Sequence, residues 1–229
     1  GKIMGQDWSR GIDWNANPTG YIEWTVAIHY MLFLKPVMSA WWETKDVRYA
    51  KFVERVITDW ARRNPVPYGL RAGGNAWGHS LVPEIRGFST LVEAFCILCA
   101  CPETDDRSII DMLKSFHEHE ACLLAFQSFP PSNKTIAEAR TIAALGCAFP
   151  EFQEASGWRE EGYRRLLDDM RAQVMPDGAS YELTPGYQMG IAAWLLESFE
   201  VARKCNHPLN PELEAWIRRM YDWSVAITR

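Results

Sequence analysis

The sequence lacks most of the short motifs by which an enzyme class is recognised. It contains no Gly-x-Ser-x-Gly elbow, no Walker loop and no Gly-x-Gly-x-x-Gly after a strand, so the usual signals of hydrolases, NTPases and dinucleotide enzymes are absent. His117 and His119 are two residues apart, whereas a helical zinc motif places its histidines four apart. A helix with a charged surface is the favoured interpretation of that segment.

Membrane and nucleic-acid signals are also missing. No apolar run is long enough to span a bilayer, and the opening residues GKIMGQDW contain no signal-peptide hydrophobic region. Lys and Arg are interleaved with acidic residues and the net charge is −5, so nucleic-acid binding is not expected. An acidic ligand is neither supported nor excluded, because a few arginines focused in one cleft can still attract it.

The six cysteines follow neither a metal-site nor a disulfide pattern. Three lie in FCILCACP, at the end of an apolar helical run, and no second Cys-x-x-Cys pair follows. We interpret them as buried thiols that act as small hydrophobic side chains. No metal ion or other cofactor is expected.

The composition is that of a folded, aromatic-rich protein. Of 229 residues, 48% are hydrophobic and 11 are Trp, which suits a broad helical core or a groove that stacks flat ligands such as sugars. Helical periodicity dominates and strand-like alternation is nearly absent. Two segments, 89–101 and 189–202, are apolar almost all round, as helices of an inner, buried layer would be. The predicted helices are 22–43, 46–63, 78–101, 106–127, 134–148, 158–175, 186–204 and 211–227.

These helices, joined by short loops, predict an all-α fold: antiparallel hairpins arranged as a toroid or superhelix. Two connections are unusually long, one from Asn64 and one from Pro176, and loops of this kind are where sites are built. The abrupt start and the end within DWSVAITR predict that the chain is a piece of a longer protein.

Several side chains could carry chemistry, each with a structural alternative. Arg86 lies in an apolar stretch, where it either pairs with an acid such as Glu84 or grips a carboxylate or sulfate. Tyr187 follows Thr184-Pro185, a plausible helix start, but a lone Tyr is more often a core residue. Asn133 stands where the helix after FPPS begins, and helix capping is its simplest role.

Read together, these pieces resemble the heparinase II/III family of polysaccharide lyases. The resemblance rests on an Asn at a helix start, on LGCAFPEF, and on DGASYELTPGY, which ends in a Tyr. The earlier runs IDWNANPTGYIEWTVAIHY and YAKFVERVITDWARRNP look like the opening helices of that family. The match spans almost the whole chain.

The resemblance implies an incomplete (α/α) toroid over residues 1–229 that normally precedes a β-sandwich domain, which is absent here. It also implies β-elimination of a uronic-acid polysaccharide such as heparan sulfate, in the periplasm or outside the cell. Asn133 matches the position that neutralises the uronate carboxylate, and Tyr187, 54 residues downstream, matches the proton-transfer position. This piece alone is expected to be weakly active or inactive.

The substrate-binding predictions are less specific. Arg86 and Glu84 are assigned to the acidic substrate, with Trp77 and Trp14 as candidates for stacking on sugars. Lys134 and Gln188 are assigned to the substrate as well, and they depart from the family pattern, in which many relatives have His at these positions. Ser132 or Thr135, the latter with Glu138 at capping-box spacing, can cap the helix and so free Asn133 for the substrate.

Three alternatives stay open from the sequence. The substrate could be alginate or hyaluronan instead of heparan sulfate. The toroid could be a glycoside hydrolase, with Glu84 and either Glu182 or Asp177 as its two carboxylates. It could also be a helical module that binds a glycan or a protein without turnover.

Overall fold

A computed structural model describes residues 2–8, 11–67, 74–78, 81–125, 127–207 and 209–228. Within these ranges the regular structure is helical apart from one antiparallel hairpin, in which β1 (Lys2–Ile3) pairs with β2 (Gln6–Asp7). The predicted all-α class is confirmed. The chain divides into two compact units, residues 1–125 and 126–229. No helix in the described ranges is long and apolar enough to cross a membrane.

Six α-helices lie in the described part of the first unit, and two of the predicted helices are interrupted there. The segment 22–43 breaks at Met31, whose φ of 56° ends one helix before a 3₁₀ turn starts the next. The segment 78–101 starts later, at Val82, and passes through a π-helical stretch, Ile85–Leu91. The helices are α1 (Ile22–Tyr30), α2 (Lys35–Thr44), α3 (Val47–Arg63), α4 (Val82–Glu84), α5 (Val92–Ala100) and α6 (Asp106–Ala125).

The second unit is built around α7, in which every residue from 135 to 147 is buried. Helices α8 and α9 pack on α7, and α10 packs on α8 and α9. The apolar core joins residues of all four helices, among them Ile136, Leu166, Leu195 and Leu213. The helices are α7 (Asn133–Ala148), α8 (Ala155–Gln173), α9 (Pro185–Lys204) and α10 (Pro211–Ile227).

Local capping chemistry sets where these helices begin. The Ser132 amide donates to Thr135 Oγ1 at 3.1 Å as part of a capping box at the start of α7, which confirms Ser132 as the cap. Thr184 caps α9 and Asn210 caps α10, each followed by proline at the first helical position. Glu138 takes no part in the box, because its carboxylate accepts hydrogen bonds from Ser128 instead.

Helices α7 and α8 approach closely because glycine lies at their contact. A Cβ atom at Gly162 would lie 2.4 Å from the Ala143 backbone nitrogen, a distance that real Cβ atoms do not adopt. We expect Gly162→Ala to lower the free energy of unfolding of the protein by about 3 kcal/mol, the upper end for overpacking, because backbone rather than a flexible side chain must move. Urea unfolding monitored by circular dichroism measures this.

Gly157 provides the matched control for that substitution. It lies in the first turn of α8 and is exposed, and a Cβ atom added to it would have no described atom within 4 Å. Gly157→Ala should be neutral or stabilise the helix by up to about 1 kcal/mol. Equal effects of the two substitutions would contradict the close-packing account.

Two expectations about burial are wrong in part. Cys96 and Cys99 are exposed, whereas Cys101, Cys122 and Cys147 are buried as predicted. Helix α9, predicted to lie in an inner layer, exposes a row of apolar side chains within its unit, including Met189 and Leu196. Apolar composition alone does not say which face of a helix its neighbours cover.

Candidate functional site

The second unit contains a cleft of about 290 Å³ between the start of α7 and the first three turns of α9. It combines an amide, a phenol, two glycines and apolar side chains. The lining residues are Asn133, Gly186, Tyr187, Gly190, Ile191 and Trp194. The structure thus brings together Asn133 and Tyr187, the two predicted catalytic residues, in a single cleft.

Asn133 is the first residue of α7, and its side chain is not used for capping. Ser132 and Thr135 perform that task, so the Asn133 amide makes no hydrogen bond within the described part of the chain. The amide borders the cleft, where its N–H groups can donate to an anionic oxygen. Lys134, the next residue, is partly buried and supplies a positive charge one position further along α7.

Tyr187 is the third residue of α9, and its ring is half exposed, at 50%. Its backbone N–H is held by the Thr184 side chain at 3.4 Å, which anchors this turn. The phenol has no hydrogen-bond partner among the described residues, so it is free to meet a ligand in the cleft. The arrangement can present a hydroxyl group and an amide to one bound molecule.

A buried polar network lies beneath the start of α7, and the sequence did not single it out. Asp169 Oδ1, on α8, accepts hydrogen bonds from Thr135 Oγ1 at 2.7 Å and from Gln173 Nε2 at 2.8 Å. Loss of hydration on burial raises the pKa of Asp169 to about 6, although these two hydrogen bonds favour the carboxylate. Through Thr135 the network supports the turn that carries Asn133.

Gln188 is buried and fully hydrogen-bonded, a geometry that argues against the predicted contact with substrate. Its side chain is buried, and its amide donates to the backbone carbonyls of Gly178 and Met220 at 3.0 and 3.1 Å. Its amide oxygen accepts from the Ser180 backbone at 2.6 Å. Every polar atom of the side chain is thus used to attach the loop that precedes α9 to α10.

Arg86 lies inside the first unit, with an exposure of 0%. Its Nε donates to His119 Nε2 at 3.0 Å, and Nη1 donates to the His29 carbonyl at 3.2 Å. The guanidinium lies over the rings of Trp60 and Trp77, at 3.9 and 4.8 Å from their centroids. Burial lowers the pKa of Arg86 to about 9, which leaves it charged at neutral pH. This geometry favours the structural alternative over substrate binding.

The other candidates of the first unit are equally enclosed. Glu84 is fully buried, and its charge favours the charged form of Arg86. Trp77 is 3% exposed and donates its Nε1 hydrogen to the Asn64 carbonyl. Trp14 is also buried and donates to Asp59. None of these rings or carboxylates faces solvent, which corrects their assignment to the substrate.

Burial, followed by the charge of Arg86, lowers the pKa of both His29 and His119, and each neutral ring accepts a hydrogen bond. His29 Nδ1 accepts from Trp60 Nε1 at 3.1 Å. His119 Nε2 accepts from Arg86, so its Nδ1 carries the hydrogen and donates to the Ser115 carbonyl at 2.6 Å. The segment around His119 is therefore only partly a charged surface, since this histidine is completely buried.

We expect the protein to lose stability between pH 6.5 and about 4. Burial and then the charge of Arg86 lower the pKa of His29 from 6.5 to about 4. The unfolded state binds the proton first as the pH falls, so the His29 contribution is present above pH 6.5 and disappears toward pH 4. The loss is about 3 kcal/mol from His29, at about 1.4 kcal/mol per pH unit.

Urea unfolding at a series of pH values measures this dependence. His29→Asn is the informative variant, because its amide oxygen can still accept from Trp60 but does not titrate. Its stability should fall less steeply over the same interval than that of the wild type. Identical slopes, or an NMR titration of the His29 ring near pH 6.5, would contradict the assignment.

No group of three or more His, Cys, Asp or Glu side chains that could hold a metal ion occurs among the described residues. The cleft itself offers an amide and a phenol, with a lysine next to the amide in sequence. These groups suit stabilisation of an anion and transfer of a proton.

The fold resembles that of part of several solved lyase structures. Over 97% of its length it superimposes on a solved heparan sulfate lyase from Pedobacter heparinus with a TM-score of 0.83, at 23% identity, covering 35% of that chain. A solved heparinase III gives a TM-score of 0.83 at 22% identity, with 96% of this chain and 33% of the other covered. The predicted (α/α) toroid fold is confirmed by this likeness.

The chain belongs to the family described as Heparinase II/III N-terminus, which it matches over residues 4–229. It is 24% identical to a heparin-sulfate lyase of Pedobacter heparinus over 200 residues, which cover 87% of this chain and 30% of the relative. It is 26% identical to a heparin-sulfate lyase of Bacteroides thetaiotaomicron over 194 residues, which cover 84% of this chain and 27% of that relative. The chain thus spans about a third of the length of the relatives it matches.

Proposed function

We propose that this chain is the N-terminal toroid domain of a polysaccharide lyase that cleaves uronic-acid glycans of the heparan sulfate type by β-elimination. The observation that carries the proposal is the position of Asn133 and Tyr187 on one cleft. Family membership and the names of the relatives, heparin-sulfate lyases, support the reaction and the substrate class.

The reaction requires what these two residues can supply. The C5 proton beside the uronate carboxylate is only weakly acidic, so the developing negative charge has to be stabilised by hydrogen-bond donors. The free Asn133 amide provides neutral donors, and Lys134 adds positive charge nearby. A base then removes the C5 proton, the C4–O4 bond breaks as a C4–C5 double bond forms, and an acid protonates O4. The Tyr187 hydroxyl suits these proton transfers.

We further propose that a longer natural chain completes the site. The relatives are about three times the length matched here, which is consistent with a further domain, and we expect that domain to be the family's β-sandwich. It would supply additional substrate contacts, and the isolated toroid would be weakly active. A periplasmic or secreted location is part of the same proposal.

The glycoside hydrolase alternative finds no support in the geometry. It needs two carboxylates facing one cleft, and Glu84, one of the pair, is fully buried in the first unit. Asp177, a candidate for the other, accepts a hydrogen bond from the Ala179 backbone within its own loop. No carboxylate lines the described part of the cleft.

The experiment follows the chemistry of the product. The full natural chain is incubated with heparan sulfate, hyaluronan or alginate, and the near-ultraviolet absorbance of the unsaturated sugar is recorded. We expect product from heparan sulfate. Reducing ends without unsaturation would indicate a hydrolase, and tight binding without either product would indicate a non-catalytic glycan-binding module.

A further inference from the structure

Helix α9 has a strip of bare backbone along the cleft. Gly186 and Gly190 lie one helical turn apart, and Trp194 follows one turn later, so the three share one face of the helix. A Cβ atom at either glycine would meet no described atom within 4 Å. The described residues therefore leave the space above the two glycines open.

The protein's own packing does not require these glycines. Where packing does require glycine, at Gly162 and Gly178, a Cβ would collide with backbone. Glycine is, after proline, the residue that most weakens a helix interior, and Gly190 lies well inside α9. Two glycines one turn apart, with room for alanine at both, indicate that a ligand occupies the space that side chains would otherwise fill.

Trp194 closes one end of this strip, and its ring is backed by a buried charge. The Arg140 guanidinium, on α7, lies 5.2 Å from the Trp194 ring centroid. Arg140 is in turn held by Glu197 at 2.7 Å, from the next turn of α9. This arrangement holds the indole at the cleft, about two turns along α9 from Tyr187.

We propose that the strip Gly186–Gly190–Trp194 is a sugar-binding subsite, which holds one pyranose ring of the glycan against α9 next to the reacting residues. The apolar C–H face of a pyranose ring can approach glycine backbone closely and lie against Trp194 and Ile191, since no side chain intervenes. The cleft, at about 290 Å³, is at the small end of ligand pockets, as suits one sugar unit. The inference rests on the proposed function, for which it names the position of the ring.

The test adds side chains to the strip in the full natural chain. Gly190→Ala should raise the thermal midpoint, because it improves the helix without a clash, and should raise KM for heparan sulfate at least tenfold. With Gly190→Leu, the reaction rate should no longer saturate at measurable concentrations of heparan sulfate. Gly157→Ala, the same substitution at an exposed helical position outside the cleft, should leave KM unchanged.

Binding measured without turnover separates this inference from the proposed reaction. Calorimetric titration with a heparan sulfate oligosaccharide should show weaker binding for Gly190→Leu and Trp194→Ala, with substantial recovery in Trp194→Phe. Wild-type lyase activity with unchanged KM and binding in the Gly190 variants would overturn the subsite and leave the reaction standing. If the wild type forms no unsaturated product but these variants bind the oligosaccharide more weakly, the subsite would stand and the proposed reaction would be overturned.

A third result would identify another occupant. If Gly190→Ala lowers the thermal midpoint of the full chain, then protein atoms, and not a sugar, fill the space above the strip. That outcome would overturn the proposal.

Discussion

Replacing Tyr187 by Phe is expected to lower kcat at least about 100-fold, because proton transfer by a positioned side chain contributes factors of this size. The substitution removes only the hydroxyl group, which borders the cleft and has no hydrogen-bond partner among the residues that the structure describes. The half-exposed ring stays on α9, so folding and KM should change little. Initial rates of unsaturated-product formation over a range of heparan sulfate concentrations give kcat and KM separately.

Tyr181→Phe is the matched control for this substitution. Tyr181 lies in the loop before α9, outside the cleft lining, and its hydroxyl donates to the Pro131 carbonyl at 3.1 Å. Loss of this hydroxyl should leave kcat within about twofold of the wild-type value. It should lower the free energy of unfolding by about 1 kcal/mol at most, the value of one hydrogen bond. Wild-type kcat in Tyr187→Phe would rule out its role in proton transfer.

Replacing Asn133 by Asp is expected to reduce kcat/KM by about 100- to 1,000-fold, the cost of removing a donor that stabilises a developing negative charge. The new carboxylate has nearly the same shape, but it accepts where the amide donates and repels the uronate. An acidic residue in the first turn of α7 is favoured by the helix dipole, so the fold should not suffer. Steady-state kinetics and the thermal midpoint are measured on the same preparation.

Asn210→Asp makes the same chemical change outside the cleft. Asn210 caps α10 through its side-chain oxygen, which accepts from the Glu212 amide at 2.8 Å, and Asp retains that acceptor. We expect unchanged kinetics in this variant. If Asn133→Asp is as active as wild type while both variants fold, Asn133 does not neutralise the substrate.

Helix starts were predictable because their chemistry is local. Ser132, Thr184 and Asn210 are capping residues followed by good helix patterns, and the structure begins α7, α9 and α10 within one residue of the predicted starts. Interruptions were harder to predict. Met31 adopts a left-handed conformation that its side chain does not favour, and no turn residue marks the break.

Burial of polar residues could not be predicted from a short window of sequence. Arg86 was open to two interpretations, and only the positions of Trp60, Trp77 and His119, from distant parts of the first unit, show that its guanidinium is enclosed. Gln188 stood in a position that suggested substrate binding. Its partners, Gly178 and Met220, come from a loop and another helix, which the local pattern does not reveal.

The sequence by itself determined the helical class, most helix boundaries and, through its ordered motifs, the family, and it singled out Asn133 and Tyr187 as candidates. These follow from periodicity, capping and motif order, all of which are properties of the linear sequence. The tertiary structure alone decided that these two residues share a cleft, that Gly186 and Gly190 leave its floor open, and that Glu84 is buried. Such facts depend on which distant segments pack together, and that packing is set by the whole core rather than by any one stretch.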